Sequence, residues 1–248
     1  MASGLGQIDW SAPWLAPWQP WADRAADRLA AGEPVVQVLN AVADGHCSVR
    51  FVDPEARAAS EGYESFVART GTCPTRDCAH DFFNGLAWLG FPKTKRQLNS
   101  LHLAFAQPPG VGRGVQRDAL TLLDENALLL AAPDELWQAL LIKDWQALFG
   151  PLRPLWSQAR LHLFGHALLE KLLTPRKAVT AHVLRVPQGL DSLAALDDWL
   201  SGYLKRERLN TGMFAHLPVL GVPGWWAANA NPGFYKDPTV FRPLKATR

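Results

Sequence analysis

Glycine and proline recur so often along this chain that none of its elements can be long. Stops fall at Gly32, Gly71, Gly90 with Pro92, the Gly/Pro stretch 108–114, Gly150-Pro151 and Pro175. Glycine closes helices through a left-handed residue, and proline removes a backbone donor. The segments between these stops carry apolar residues at helical spacing or in short runs. Helices are expected over residues 21–31, 34–43, 54–70, 80–89, 94–106, 134–149, 155–173 and 193–205. Val35, Val38, Leu39 and Val42 share one stripe, and Leu98, Leu101 and Phe105 another. Residues 49–52 and 179–186 read as strands, and residues 72–77 as a turn. The apolar runs 119–123 and 127–130, joined by Asp124-Glu125-Asn126, read as a β-hairpin with turn formers at its tip. The sum is an α+β fold, predominantly helical, with a small β-hairpin or sheet element and irregular N- and C-terminal arms.

Three regions follow. Residues 1–22 hold Trp10, Trp14, Trp18 and Trp21 at helix-like spacing, but Pro13, Pro17 and Pro20 forbid a regular helix there. An extended arm packed on the body is expected, with docking of a protein partner as the functional alternative. Residues 23–216 form one domain. Residues 217–248 form a Gly/Pro-rich tail that wraps the surface and offers Trp225, Trp226 and Tyr235. No internal repeat, heptad array or low-complexity linker is present.

Of the 248 residues, 48% are apolar, enough for a real core. No apolar run approaches the roughly 18–20 residues that span a bilayer. The most apolar region, 119–142, is broken by Asp124, Glu125, Asn126, Pro133, Asp134 and Glu135. The N-terminus lacks the pattern of a signal peptide. Three cysteines, Cys47, Cys73 and Cys78, fit a reducing compartment better than a disulfide framework. A soluble cytoplasmic protein is the expectation. A net charge of +2 argues against nucleic acid as the main partner. The basic groups Lys93/Lys95/Arg96 and Lys205/Arg206/Arg208 read as solvated helix faces.

Four constellations could carry chemistry. His80, Asp81 and Asn84 gather at a helix start, where they could bind a metal or orient a water. His162, His166 and Glu170, spaced four and four apart, would share one face of a helix over 155–173. Two imidazoles and a carboxylate there suit zinc or a similar divalent ion, and Gly165 would admit a close backbone neighbour. This is not the His-Glu-x-x-His motif, since the glutamate follows the second histidine. Arg117-Asp118, with Asp124-Glu125 at the hairpin tip, could complete a metal shell or supply a general base. Cys73, Cys78 and His80 with His46 and Cys47 could form a zinc knot, at the edge of the usual spacing. Each set also has a structural explanation in capping, turn formation or buried hydrogen bonding. Gly110-Val-Gly-Arg-Gly114 looks like a phosphate loop, but it precedes an expected strand rather than a helix. A Gly-x-Ser-x-Gly elbow and a Walker lysine are absent.

Several blocks resemble a known family. They are Pro74-Thr75; His80-Asp81-Phe82-Phe83-Asn84-Gly85-Leu86-Ala87-Trp88-Leu89 with Phe91-Pro92; and Lys95 with Leu98-Asn99. Arg117-Asp118-Ala119-Leu120-Thr121 with Asp124-Glu125-Asn126 follows, then Phe164-Gly165-His166-Ala167-Leu168-Leu169-Glu170. Phe234-Tyr235 and Val240-Phe241-Arg242-Pro243 close the set. Together, over most of the chain, they resemble the bacterial domain of unknown function 3025. The resemblance implies no particular activity. Ala79 departs from it, since a tryptophan is expected before the His-Asp pair, and the cysteines lie outside its pattern.

Two functions follow. The first is a hydrolase dependent on a divalent metal (Zn, Mn or Mg), with His80, Asp81, His166 and Glu170 as ligands. Asp124 or Glu125 would serve as base, with Asn84, Arg117, Asp118 and His162 in support. The sequence does not specify its substrate; a small molecule or a phosphorylated compound fits, and Lys93–Arg96 favours a phosphorylated substrate over a peptide. The alternative is a non-catalytic protein-binding module in which these side chains form a structural hydrogen-bond network.

Overall fold

The computed structural model describes residues 5–43, 45, 47–106, 112 and 114–244. Its N-terminal prolines shape the chain in an unexpected way. Pro13–Trp18 forms a 3₁₀-helix that leads directly into α1 (Gln19–Ala30), with Pro20 in the first turn. Proline is tolerated there because the first amides of a helix have no partner inside it. The arm is therefore wound rather than extended, and Trp14 and Trp18 are buried in the core.

Helix α2 (Val35–Ala43) buries the anticipated stripe, and β1 (Arg50–Val52) follows. The helix expected over 54–70 is two pieces, a 3₁₀ turn at Pro54–Ala56 and α3 (Tyr63–Thr70). Gly71 ends α3 at φ 65°, the left-handed conformation that favours glycine. The segment expected as a turn contains β2 (Thr72–Pro74), which pairs parallel with β1. Then come α4 (Ala79–Gly90) and α5 (Pro92–Ala104).

The expected hairpin is absent. Residues 115–126 are helical instead, as α6 (Val115–Asn126), and the chain passes without a turn into β3 (Ala127–Ala131). Ala119, Leu120 and Leu123 are the buried face of α6, which is helical spacing. All five residues of β3 are buried, because it lies inside a sheet of order β4-β3-β5-β6. β4 (Arg160–Leu163) runs antiparallel to β3, β5 (Thr180–Arg185) parallel to it, and β6 (Ala215–Pro218) antiparallel to β5. A continuous apolar run suits such an interior strand. Since α6 is a helix, the strand that argued against the 110–114 loop is not there, and most of that loop lies outside the described residues.

The helix expected over 134–149 breaks into α7 (Asp134–Leu141) and α8 (Trp145–Phe149) around Lys143 at φ 55°, and the Asp144 side chain caps α8. The helix expected over 155–173 is not one helix. It comprises a 3₁₀ turn (Arg153–Gln158), β4 and α9 (His166–Lys171). Helix α10 (Leu193–Tyr203) matches its expectation, whereas β6 crosses the boundary expected at 217. Phe241 and Val219 are buried, so the tail contributes to the core. Among the described residues, no helix is long and apolar enough to cross a membrane.

Candidate metal centre

The site forms where α4, α6 and α9 meet, and Gly165 makes the meeting possible. A Cβ at Gly165 would lie 2.4 Å from the backbone nitrogens of both Asn126 and Ala127. With only hydrogen there, Phe164 and Gly165 donate their amides to the Ala127 carbonyl at 3.0 and 2.9 Å. That contact ties the start of α9 to the junction of α6 and β3. It brings His166, the first residue of α9, against Asp124 and Glu125 in the last turn of α6. Two carboxylates at a helix C-terminus oppose the helix dipole, so local helix energetics do not explain their position.

His80, in the first turn of α4, faces the same point. Its Nε2 lies 3.1 Å from His166 Nε2 and 4.0 Å from Glu125 Oε2, and His166 Nε2 lies 3.3 Å from Glu125 Oε2. These three ligand atoms fall within 4.8 Å of one another. Tetrahedral zinc with Zn–N bonds near 2.0–2.1 Å sets its ligand atoms about 3.3 Å apart. Two of the three separations are already close to that spacing, and the third requires a movement of less than about 1 Å.

Behind each imidazole stands a carboxylate. Glu170 Oε2 lies 2.9 Å from His80 Nδ1, and Asp124 Oδ1 lies 3.8 Å from His166 Nδ1. Glu170 is within hydrogen-bond distance and fixes the His80 tautomer that turns Nε2 toward a metal, whereas Asp124 is too far to bond His166 Nδ1, which has no hydrogen-bond partner. Burial pushes His166 down to about 4, against the opposing charge of Asp124, so its ring is neutral at pH 7. Burial and the adjacent Asp124 push Glu125 up, partly offset by His80. Burial would also raise Asp124, but Lys95, with His166 and His102, offsets it and holds Asp124 below the usual range. Lys95 Nζ reaches Asp124 Oδ1 at 2.5 Å and Asn84 Oδ1 at 2.9 Å. Asn84 in turn donates to the Tyr63 hydroxyl at 3.2 Å, which sits 3.2 Å from Cys73 Sγ.

Other residues singled out from the sequence lie elsewhere or are engaged. Asp81 lines the cavity, but Arg76 holds its carboxylate with a backbone donor at 2.6 Å and guanidinium donors at 3.0 and 2.8 Å. His162 belongs to β4 opposite Leu129, so it shares no helix face with His166. Arg117 and Asp118 lie in the first turn of α6, away from the cavity lining. Lys93 pairs with Asp198, leaving Lys95 as the cavity-lining member of its basic group. Cys73 is buried beside Tyr63, and burial raises its thiol to about 11; among the described residues no cysteine joins a cluster of three ligand atoms, so the zinc knot is not formed there. His46 lies outside the described residues.

A cavity of about 450 Å³ opens onto the three ligand atoms. Its wall includes Tyr63, Glu64 and His102, which the sequence does not single out, and Lys95 and Asn99, which it does not place among the site residues. Lys95, Asn99 and His102 recur at i, i+4 and i+7 on α5, and that polar periodicity was the available signal. The cavity lining carries three basic side chains, Arg57, Arg76 and Lys95, against four carboxylates, Glu64, Asp81, Asp124 and Glu125. This balance accommodates a cation.

No curated protein and no solved structure matches the chain. A family model described as a protein of unknown function (DUF3025) matches residues 49–245, a span that contains every residue of the site. The chain belongs to the DUF3025 family.

Proposed function

We propose that this chain is a divalent-metal-dependent hydrolase acting on a small substrate. The ion is held by Nε2 of His80, Nε2 of His166 and a carboxylate oxygen of Glu125. One observation carries the reading: three ligand atoms converge within 4.8 Å, and the exposed imidazole, His80, has the Glu170 carboxylate on its far nitrogen. In this ligand set Glu125 replaces Asp81, which is committed to Arg76, while Glu170 backs His80 instead of binding the ion. A bound divalent ion brings its water to a pKa near 7 and polarises a carbonyl or phosphoryl oxygen. His166 is deeply buried, whereas His80 and Glu125 keep side-chain exposures of 31% and 39%, and all three residues line the cavity, so a bound ion would be reachable from it.

A second reading has its own support. With Nδ1–H of His80 donating to Glu170, His80 Nε2 can accept a hydrogen bond from His166 Nε2 at 3.1 Å. The cluster would then be a structural network, and function would lie in protein binding. Elemental analysis of protein purified without chelator separates the two. The hydrolase reading expects one zinc or similar ion per chain, lost in His166→Ala. A metal-free protein that cannot be loaded, and that His166→Ala only destabilises, refutes it.

A further inference from the structure

Building on the metal reading, we infer that the cavity takes a small acyl compound bearing an amine or amide N–H at the end remote from the metal. The polar face of α5, together with Glu64, reads that donor. Lys95, Asn99 and His102 line one wall. At 1.5 Å rise per residue, Asn99 and His102 lie about 6 and 10.5 Å along the axis from Lys95. The Lys95 end is the metal end, since Lys95 Nζ is 2.5 Å from Asp124 and Asp124 is 3.8 Å from His166. Lys95 spends two of its three protons on Asn84 and Asp124. This end therefore offers an ion and an ammonium N–H, both of which want a ligand oxygen.

The other end offers the opposite. Asn99 is 8% exposed and donates its amide to the Glu64 carbonyl at 3.0 Å, which leaves Oδ1 without a hydrogen-bond partner. His102, 9% exposed, has its Nδ1 without a partner as well. The Glu64 carboxylate shares this wall. One of the two Asn99 amide hydrogens is committed to Glu64, while Asn99 Oδ1 and the Glu64 carboxylate are acceptors side by side, and a ligand N–H supplies the hydrogen they lack. A negative tail would meet Glu64, while the Arg57 guanidinium that also lines the cavity is held on the Glu61 carbonyl. The cavity volume, about 450 Å³, is that of a site for a whole small molecule rather than a stretch of polymer.

Three hydroxamates of matched length test this on zinc-loaded protein by calorimetry: aminohexanoyl, heptanoyl and adipoyl monohydroxamate. Each binds zinc through the same head and differs only in its tail. The amine-tipped compound should bind about tenfold tighter than the alkyl one, and the carboxylate-tipped compound weakest. Asn99→Leu and, separately, Glu64→Gln should narrow the ratio of amine-tipped to alkyl affinity, with zinc uptake retained. Equal or reversed tail preference, or a preference indifferent to both substitutions, overturns the inference while the metal reading stands. Protein that takes up no zinc overturns the metal reading itself.

Discussion

Replacing Gly165 with alanine tests the architecture on which the site depends. Gly165 sits at φ −64°, ψ 116°, which any residue adopts, so a penalty there would be steric rather than conformational. The added methyl would lie 2.4 Å from Asn126 N, 2.4 Å from Ala127 N and 2.6 Å from Asn126 Cα, where ordinary contact begins at 3.4 Å. All three are backbone atoms at the junction of α6 and β3, so no side chain can swing away. Relief requires α9 to retreat by about 1 Å, whereas metal sites hold their bond lengths to about ±0.2 Å. Overpacking of this kind costs about 1–3 kcal/mol, which in a chain of this size lowers Tm by roughly 3–10 °C. Zinc affinity should fall at least about tenfold, because His166 moves with α9. Gly202→Ala is the control. It lies in α10 with nothing within 4 Å of an added Cβ, and should stabilise by about 0.5–1 kcal/mol without touching zinc. Thermal melts and competitive zinc titration read both effects. A Gly165→Ala protein with parental Tm and parental zinc affinity would show that close approach at this junction does not position His166.

Glu170→Gln removes the charge behind His80 but keeps the shape, and zinc affinity should drop about 10–100-fold with the fold intact by circular dichroism. An unchanged affinity would mean that Glu170 does not orient His80. Lys95→Met strands the Asp124 carboxylate, with side-chain exposures of 4% and 22% for the pair, and should destabilise by about 3–5 kcal/mol in urea unfolding. Adding Asp124→Asn should recover part of that loss, and no recovery would refute the pairing. For metal-free protein, His166 binds its proton less readily when folded than when unfolded. The unfolded state therefore gains protons first as pH falls, and stability should decline from about pH 6.5 toward about 4. The His182 ring, also pushed down to about 4 by burial and by His216, adds to the slope. Urea midpoints should show a shallower decline in His166→Phe, and an unchanged slope would count against a buried neutral His166.

How far the sequence could be read follows from which forces are local. The sharing of one helix face by His166 and Glu170 needs only their spacing of four, so it holds although the helix begins eleven residues later than expected at 155. Excluding His162 from that face requires knowing that Arg160–Leu163 pairs with β3, and His162 with Leu129, a contact across 33 residues of chain. The α6–β3 junction was misread for the same reason. A helix that becomes a strand without a turn has no Gly or Pro signal of its own. Here the amides of Phe164 and Gly165 hold it from outside, both on the Ala127 carbonyl. On α5 the error has a different origin. Apolar periodicity picked Leu98, Leu101 and Phe105, yet the face turned inward holds Thr94, Lys95, Leu98, Asn99 and His102. The rule that helices bury their apolar stripe assumes a dry partner. A helix facing a polar cavity buries polar residues instead, and their own i, i+4, i+7 spacing is then the pattern to seek. By that criterion Lys95, Asn99 and His102 stand out from the sequence as clearly as the two histidines do. The wall opposite a metal is thus as readable as the ligands, once polar periodicity is weighed equally with apolar.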